Sequence, residues 1–215
     1  RCVYCQNADI SQVSAGRDLD ANGLAEIMID LQGQGCHNIN FVSPSHIIPQ
    51  ILAGVLAAAQ EGLTIPLVYN TGGYDSVKML GLLDGVVDIY MPDMKYGDES
   101  AGKKYSLVQD YPRINQQAVL EMHCQVGDLE LNEKGIATRG LLVRHLVLPN
   151  DIANSEKVLT FLAEKVSKNV YLNIMAQYHP SYHAGRYPEL DRRITTHECD
   201  QVKKLAEDHG LTRLD

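Results

Sequence analysis

Leu141-Leu142-Val143-Arg144-His145-Leu146-Val147-Leu148-Pro149 decides how this chain is read, because a near-continuous aliphatic run surrounds one arginine and one histidine. A run of this kind suits a parallel strand covered on both faces. Working outward, His37 to Val42, Ile65 to Tyr69 and Val86 to Met91 upstream, and Val170 to Met175 downstream, read as further short strands. Helical periods fill the spaces between them. Leu19 to Leu31 has Asp20 as its N-cap, with Gly33 and Gly35 closing it; Ile47 to Ala59 is strongly apolar, and Ser76 to Leu83 ends at Gly85. Ser100 to Asp110 and Asn115 to Val126 lie on either side of Pro112, which breaks the run, and Gly127 to Gly140 reads as a polar hairpin. Ser155 to Val166 and Thr195 to His209 complete the set, with Gly210 as the last C-cap signal.

Strands alternating with helices predict an α/β fold built on a parallel sheet. No GxGxxG follows a strand and no P-loop is present, so a partial (β/α)6 TIM-like barrel fits better than a doubly wound sheet. It is expected to be a single domain over residues 1–215, with its first strand preceding Arg1. Ser43, Asn70, Asp93, Asn150 and Gln177 fall at the C-terminal ends of the five strands, where parallel βα folds assemble ligands.

Composition excludes several classes. The 215 residues are 45% apolar and carry a formal net charge of −8 without a basic stripe, which argues against nucleic acid as a partner. With no signal peptide and no spanning apolar stretch, the sequence reads as part of a soluble cytoplasmic protein with no membrane partner. Five irregularly spaced cysteines argue for a reducing compartment over a disulfide framework. Cys36, Cys124 and Cys199 stand alone and are expected to be packed or semi-buried thiols.

Cys2 and Cys5 differ, forming a CxxC pair with Tyr4 inside it in the opening segment Arg1-Cys2-Val3-Tyr4-Cys5-Gln6-Asn7. Two thiolates suit a soft metal or an iron–sulfur cluster but do not close a four-coordinate site. By themselves they fit a zinc half-site or a thiol redox pair better than a cluster.

Together with Tyr-Asn-Thr-Gly-Gly-Tyr (69–74), Met-Pro-Asp-Met-Lys (91–95), Val-Arg-His-Leu-Val-Leu-Pro (143–149) and Gln-Tyr-His (177–179) at successive strand ends, this segment resembles the radical S-adenosylmethionine (SAM) superfamily. Within it, the chain is similar to the branch related to pyruvate formate-lyase activating enzymes. The resemblance implies that Cys2 and Cys5 are the second and third cysteines of CxxxCxxC, with the first just upstream of Arg1, and that they bind a [4Fe-4S] cluster. Reductive cleavage of SAM by that cluster gives a 5′-deoxyadenosyl radical that abstracts hydrogen from a substrate. The implied cofactor-binding residues are Tyr4, the aromatic of the motif; Asn70 and Thr71, toward the ribose or amino-acid part; Asp93 and Lys95, facing the cofactor; Arg144, toward the methionyl end; and His179, near the adenine. A reduced flavodoxin or ferredoxin-like donor is implied, and the substrate is a protein segment, as for a glycyl-radical activase, or a small molecule.

One segment departs from the pattern. The family carries Gly-Gly-Glu-Pro after its second strand to hold the methionine amine, whereas this chain has Phe41-Val42-Ser43-Pro44-Ser45-His46. Ser43 and backbone carbonyls are expected to stand in for the acid. Tyr182 to Tyr187 adjoins the same rim as a substrate contact or a covering loop, and His145 is expected on the opposite face of its strand from Arg144. The alternative outside this class is a catalytically degenerate or zinc-binding barrel scaffold. A metal-free hydrolase is poorer, since no nucleophile and base adjoin in any motif.

Overall fold

The computed structural model describes residues 2–11 and 16–215; Arg1, at which the sequence reading places the break in the cysteine motif, lies outside them. Five strands run parallel and pair in chain order: β1 (Ile39–Val42), β2 (Leu67–Thr71), β3 (Ile89–Pro92), β5 (Ala137–Leu146) and β6 (Tyr171–Met175). The short β4 (Glu130–Leu131) pairs antiparallel with the start of β5, so the expected hairpin exists and lengthens β5 at its N-terminal end. Among the described residues β1 and β6 do not pair, and the barrel is open.

The helices are α1 (Ala8–Ser11), α2 (Ala21–Gly33), α3 (Ile48–Gln60), α4 (Val77–Leu80), α5 (Glu99–Ser106), α6 (Tyr111–Val126), α7 (Ser155–Phe161) and α8 (Thr196–Asp208). Asp20 caps α2 as expected, its carboxylate accepting from the Gly23 N–H at 2.8 Å. Several boundaries differ from expectation, two of them with a clear local cause. α5 stops at Ser106 because Leu107 enters the left-handed region at φ 57. Pro112 does not separate two helices but sits in the first turn of α6, where its missing N–H leaves no helical bond unmade.

The sheet divides two environments. Tyr69, Tyr90, Leu141 and Val143 point toward the helices and share the main core with Leu80, Met122, Leu159 and Leu162. On the other face Val68, Ile89 and Leu129 form a smaller cluster with Met91, Leu142 and Tyr171. β5 is therefore not buried on both faces as its composition suggested. Leu141, Val143 and His145 are buried, while Leu142, Arg144 and Leu146 between them are half-buried, because the inner face of an open barrel is only partly filled. Arg144 lies on that inner face at its C-terminal end, and His145 lies on the opposite one as expected.

Candidate functional site

The site begins at the ends of β2, β3 and β5. Register pairs Asn70 with Met91, and an isolated bridge pairs Asp93 with Arg144, so these strand ends lie side by side. Asp93 is 9% exposed and sits between two cations. Lys95 Nζ donates to its Oδ2, and Arg144 Nη2 lies 2.7 Å from its Oδ1. The same Nη2 donates to Asn70 Oδ1 at 2.7 Å. Burial pulls the Lys95 ammonium down, but the Asp93 carboxylate, with a smaller contribution from Cys2, more than offsets this and leaves its pKa raised. Two cations and one anion leave this part-buried cluster cationic. Arg144 Nε is buried without a partner, and Asp93 Oδ1 meets Arg144 by charge and not by a well-angled hydrogen bond. Such unspent groups fit a polar ligand bearing an anionic end.

The first turns of α6 hold these strand ends in place. Asn115 Nδ2 donates to the carbonyls of Gly73 and Asp93, each at 2.9 Å. The Tyr111 hydroxyl accepts from the Lys95 N–H at 2.9 Å and lies 3.2 Å from the carbonyls of Gly72 and Asp93. Below the rim, His145 Nδ1 donates to the Met94 carbonyl at 2.6 Å, and its Nε2 takes the Ser155 hydroxyl at 2.9 Å. Burial lowers the His145 pKa, so the ring is neutral in this role.

A carboxylate that sequence reasoning missed adjoins the rim. Asp75, 4% exposed, accepts from Tyr69 at 2.9 Å, Thr71 at 2.7 Å and Ser45 at 2.5 Å. Burial, and the carboxylate beside it, push the Tyr69 phenol well above its ordinary range, so it remains a donor. Thr71 thus faces Asp75. Ser43 does not join this network: it is exposed, adopts φ 54 and uses its N–H on the Asn70 carbonyl at 2.7 Å. Ser45, two residues on, makes the side-chain contacts. The available signal was the Tyr-Asp pair directly after the double glycine, which turns the chain back under β2.

The cysteine loop docks on the same edge. The Val3 N–H donates to the Tyr105 carbonyl and the His183 N–H to the Val3 carbonyl, each at 2.8 Å, while the Cys5 N–H closes the turn on the Cys2 carbonyl at 3.2 Å. The Tyr182 to Tyr187 segment is thereby a clasp on that loop, with Tyr187 packed edge-on to Tyr105. His179 Nδ1 lies 3.2 Å from Gln6 Nε2, beside the loop, and Gln177 offers its carbonyl to the same amide. Tyr4 is 5% exposed and packs edge-on against Tyr96 and Tyr178, so it belongs to the wall of the site and offers almost no surface. Asn150 leaves the rim altogether: at φ 58 it turns toward α8 and bonds Glu198 and Arg192.

Cys2 and Cys5 are free, half-buried thiols, donors of the right kind for an iron–sulfur cluster. Among the described residues no group of three or more His, Cys, Asp or Glu converges on a possible metal position, so no closed zinc site is formed there. Of the other cysteines, Cys199 is buried, Cys36 half-buried and Cys124 exposed, the last against expectation because it falls on the outer side of α6.

No family model matches the chain. It is 32% identical over 219 residues to the uncharacterized protein MJ0674 of Methanocaldococcus jannaschii, an alignment covering 98% of this chain. The chain spans 60% of the length of that curated relative. Among solved structures it is similar in fold to HydG, a maturase of the [FeFe]-hydrogenase, with a TM-score of 0.63 at 11% identity, covering 99% of this chain and 48% of that one. No helix among the described residues is long and apolar enough to cross a membrane.

Proposed function

We propose that this chain is the core of a radical SAM enzyme. The observation that carries the reading is the Lys95–Asp93–Arg144–Asn70 chain at three adjacent strand ends, with a docked CxxC loop on the same edge. The likeness in fold to HydG supports it at the level of architecture. In this reading Cys2 and Cys5 hold part of a [4Fe-4S] cluster. When bound, cluster and SAM supply a strongly oxidising carbon radical for hydrogen abstraction, using one electron from a reduced flavodoxin or ferredoxin-like protein.

The chain's own residues bind and orient. Arg144 and Lys95 present a cationic face to the methionyl carboxylate, and Asp93 fixes both cations in place so that neither collapses onto solvent. Asn70 lends an amide to a ribose hydroxyl or to the amino-acid part, and Thr71 lines the position beside it. His179 stands toward the adenine side, next to the cysteine loop. Ser43 contributes backbone, and Ser45 takes over the polar contacts expected of it. The substrate in this reading is a hydrogen-atom donor, with a protein segment, as for a glycyl-radical activase, as its finer form.

The test is iron and sulfide quantitation on the anaerobic full-length protein, with electron paramagnetic resonance before and after SAM is added under reduction. A reduced four-iron signal that changes shape on addition is the expected result. Stoichiometric zinc in place of iron overturns the proposal and leaves the scaffold reading.

A further inference from the structure

A line of hydroxyls leads from the buried wall of the site to one cysteine. Cys2 Sγ lies 2.9 Å from Ser106 Oγ, Ser106 Oγ lies 2.8 Å from the Tyr96 hydroxyl, and that hydroxyl lies 2.5 Å from the Tyr4 hydroxyl. All three hydroxyl residues are buried: Tyr4 is 5%, Tyr96 1% and Ser106 6% exposed. They come from three separate segments, namely the cysteine loop, the connection from β3 to α5, and the last residue of α5. Cys5 lies outside this line: among the described residues its sulfur neighbours the Ser11 hydroxyl, 3.5 Å away on an exposed surface.

Chemistry fixes the direction of the line. A metal-binding cysteine is a thiolate and has no proton to give, so Ser106 must donate to Cys2. Its oxygen then accepts from Tyr96, which accepts from Tyr4. Each hydroxyl has one hydrogen and each link uses one, leaving no donor idle. A phenol carries its proton at neutral pH, so both tyrosines have a hydrogen to donate. Hydrogen bonds in such a chain polarise one another and are strongest at a charged end in a low-dielectric wall.

Resting on the radical SAM reading above, we propose that Tyr4, Tyr96 and Ser106 form a one-way hydrogen-bond relay that donates to the Cys2 thiolate and raises the reduction potential of the cluster bound there. Hydrogen bonds to ligating sulfur are among the factors that set such potentials, because they stabilise the more electron-rich reduced state. The relay acts on Cys2 alone, so it also makes the two thiolates of the CxxC electronically unequal.

The test is a redox titration of the anaerobically reconstituted full-length protein, poised with dithionite and followed by electron paramagnetic resonance, for wild type, Ser106→Ala and Tyr96→Phe. Iron and sulfide are counted in each. Ser106→Ala is expected to lower the reduced-to-oxidised ratio at fixed potential about tenfold, which is about 59 mV for a one-electron couple. Tyr96→Phe keeps the last donor and loses its polarisation, so its shift has the same sign and is smaller. Tyr105→Phe, whose hydroxyl serves Glu189 and not the relay, leaves the midpoint unchanged. Wild-type midpoints in both relay variants, at full iron and sulfide content, overturn the relay and leave the cluster reading intact. Wild-type protein that takes up no iron and sulfide overturns both. Should Ser106→Ala fail to fold, Tyr96→Phe, which removes a single oxygen, decides the matter.

Discussion

Replacing Gly73 by alanine and Gly72 by alanine should give opposite results, although the two glycines are adjacent. Gly73 has φ +74, and a Cβ built on it would stand 2.2 Å from Asn115 Nδ2 and 2.2 Å from the Asp93 carbonyl oxygen. Neither neighbour is the free end of a flexible chain. The oxygen is backbone at the end of β3, and the amide is pinned there by two hydrogen bonds of 2.9 Å. The left-handed conformation alone costs a residue with a Cβ about 1–2 kcal/mol. Losing the two Asn115 bonds adds about 1 kcal/mol each, and forcing backbone apart in a packed region about 1–3 kcal/mol. Gly73→Ala is thus expected to lose about 4–7 kcal/mol, a large share of the roughly 5–15 kcal/mol that holds a typical domain folded. Gly72 has ordinary φ and nothing within 4 Å of its would-be Cβ. Gly72→Ala should lie between neutral and about 1 kcal/mol more stable, through the unfolded chain. Urea unfolding of both variants measures this: at a slope of about 2 kcal/mol/M, Gly73→Ala moves the midpoint down by about 2–3.5 M. A Gly73→Ala midpoint within about 0.5 M of wild type, or equal losses in both variants, would show that α6 does not clamp the strand ends as described.

Arg144→Met removes the guanidinium that reaches both Asp93 and Asn70, and charged hydrogen bonds of this kind make the expected loss of SAM affinity about tenfold to a hundredfold. Equilibrium dialysis against SAM on the reconstituted protein measures it, and Arg144→Lys should rescue little, since a single ammonium lacks the fork; full rescue by Lys would refute the role. For His145, burial sets the folded pKa below the ordinary value of 6.5, so the unfolded chain binds the extra proton first as the pH drops. Its contribution to stability is therefore complete above about pH 6.5 and is lost as the pH falls from there through the lowered folded value. Urea midpoints of wild type and His145→Gln at pH 8, 6 and 5 should converge toward acid, and parallel curves would contradict the assignment.

The strands and the charged strand ends were legible because each polar residue closes an apolar run. Asn70 and Asp93 stand out in this way and Arg144 by interrupting such a run, and parallel register then brings them together without further information. Asp75 and Ser45 were missed, since both reach the site by turns: Ser45 through the 3-10 turn Pro44–His46, Asp75 through the reversal at Gly73, for which the double glycine was the one signal. Pro112 reads in sequence as a break, and only the packing of Tyr111 and Asn115 beneath the rim makes it a first-turn residue. Ser106 carries no sequence signal at all, because its partner Cys2 is 104 residues away and nothing but the docking of the cysteine loop joins them. The overfilled reading of β5 has a related cause. Composition reports how apolar a strand is, not whether the barrel interior it faces is filled.

The exchange of an expected acid for Ser43-Pro44-Ser45 changes what the rim can grip. The nearest carboxylate that could replace it, Asp75, is already engaged: its Oδ1 accepts from Tyr69 and Ser45, which fills that oxygen, and its Oδ2 accepts from Thr71. One acceptor position at most remains, on the Thr71 side. Asp93 is held between Lys95 and Arg144, so its charge is shared with two cations although its buried Oδ1 accepts no hydrogen bond. Arg144 likewise keeps a buried Nε with no partner. In the proposed reading an amino-acid ligand at this rim is therefore held chiefly by its carboxylate, with the ammonium left to backbone carbonyls, one lone pair of Asp75 and the Oδ1 of a neutralised Asp93. That asymmetry follows from the hydroxyls around Asp75, and it makes Arg144 more decisive for binding than any acid in the chain.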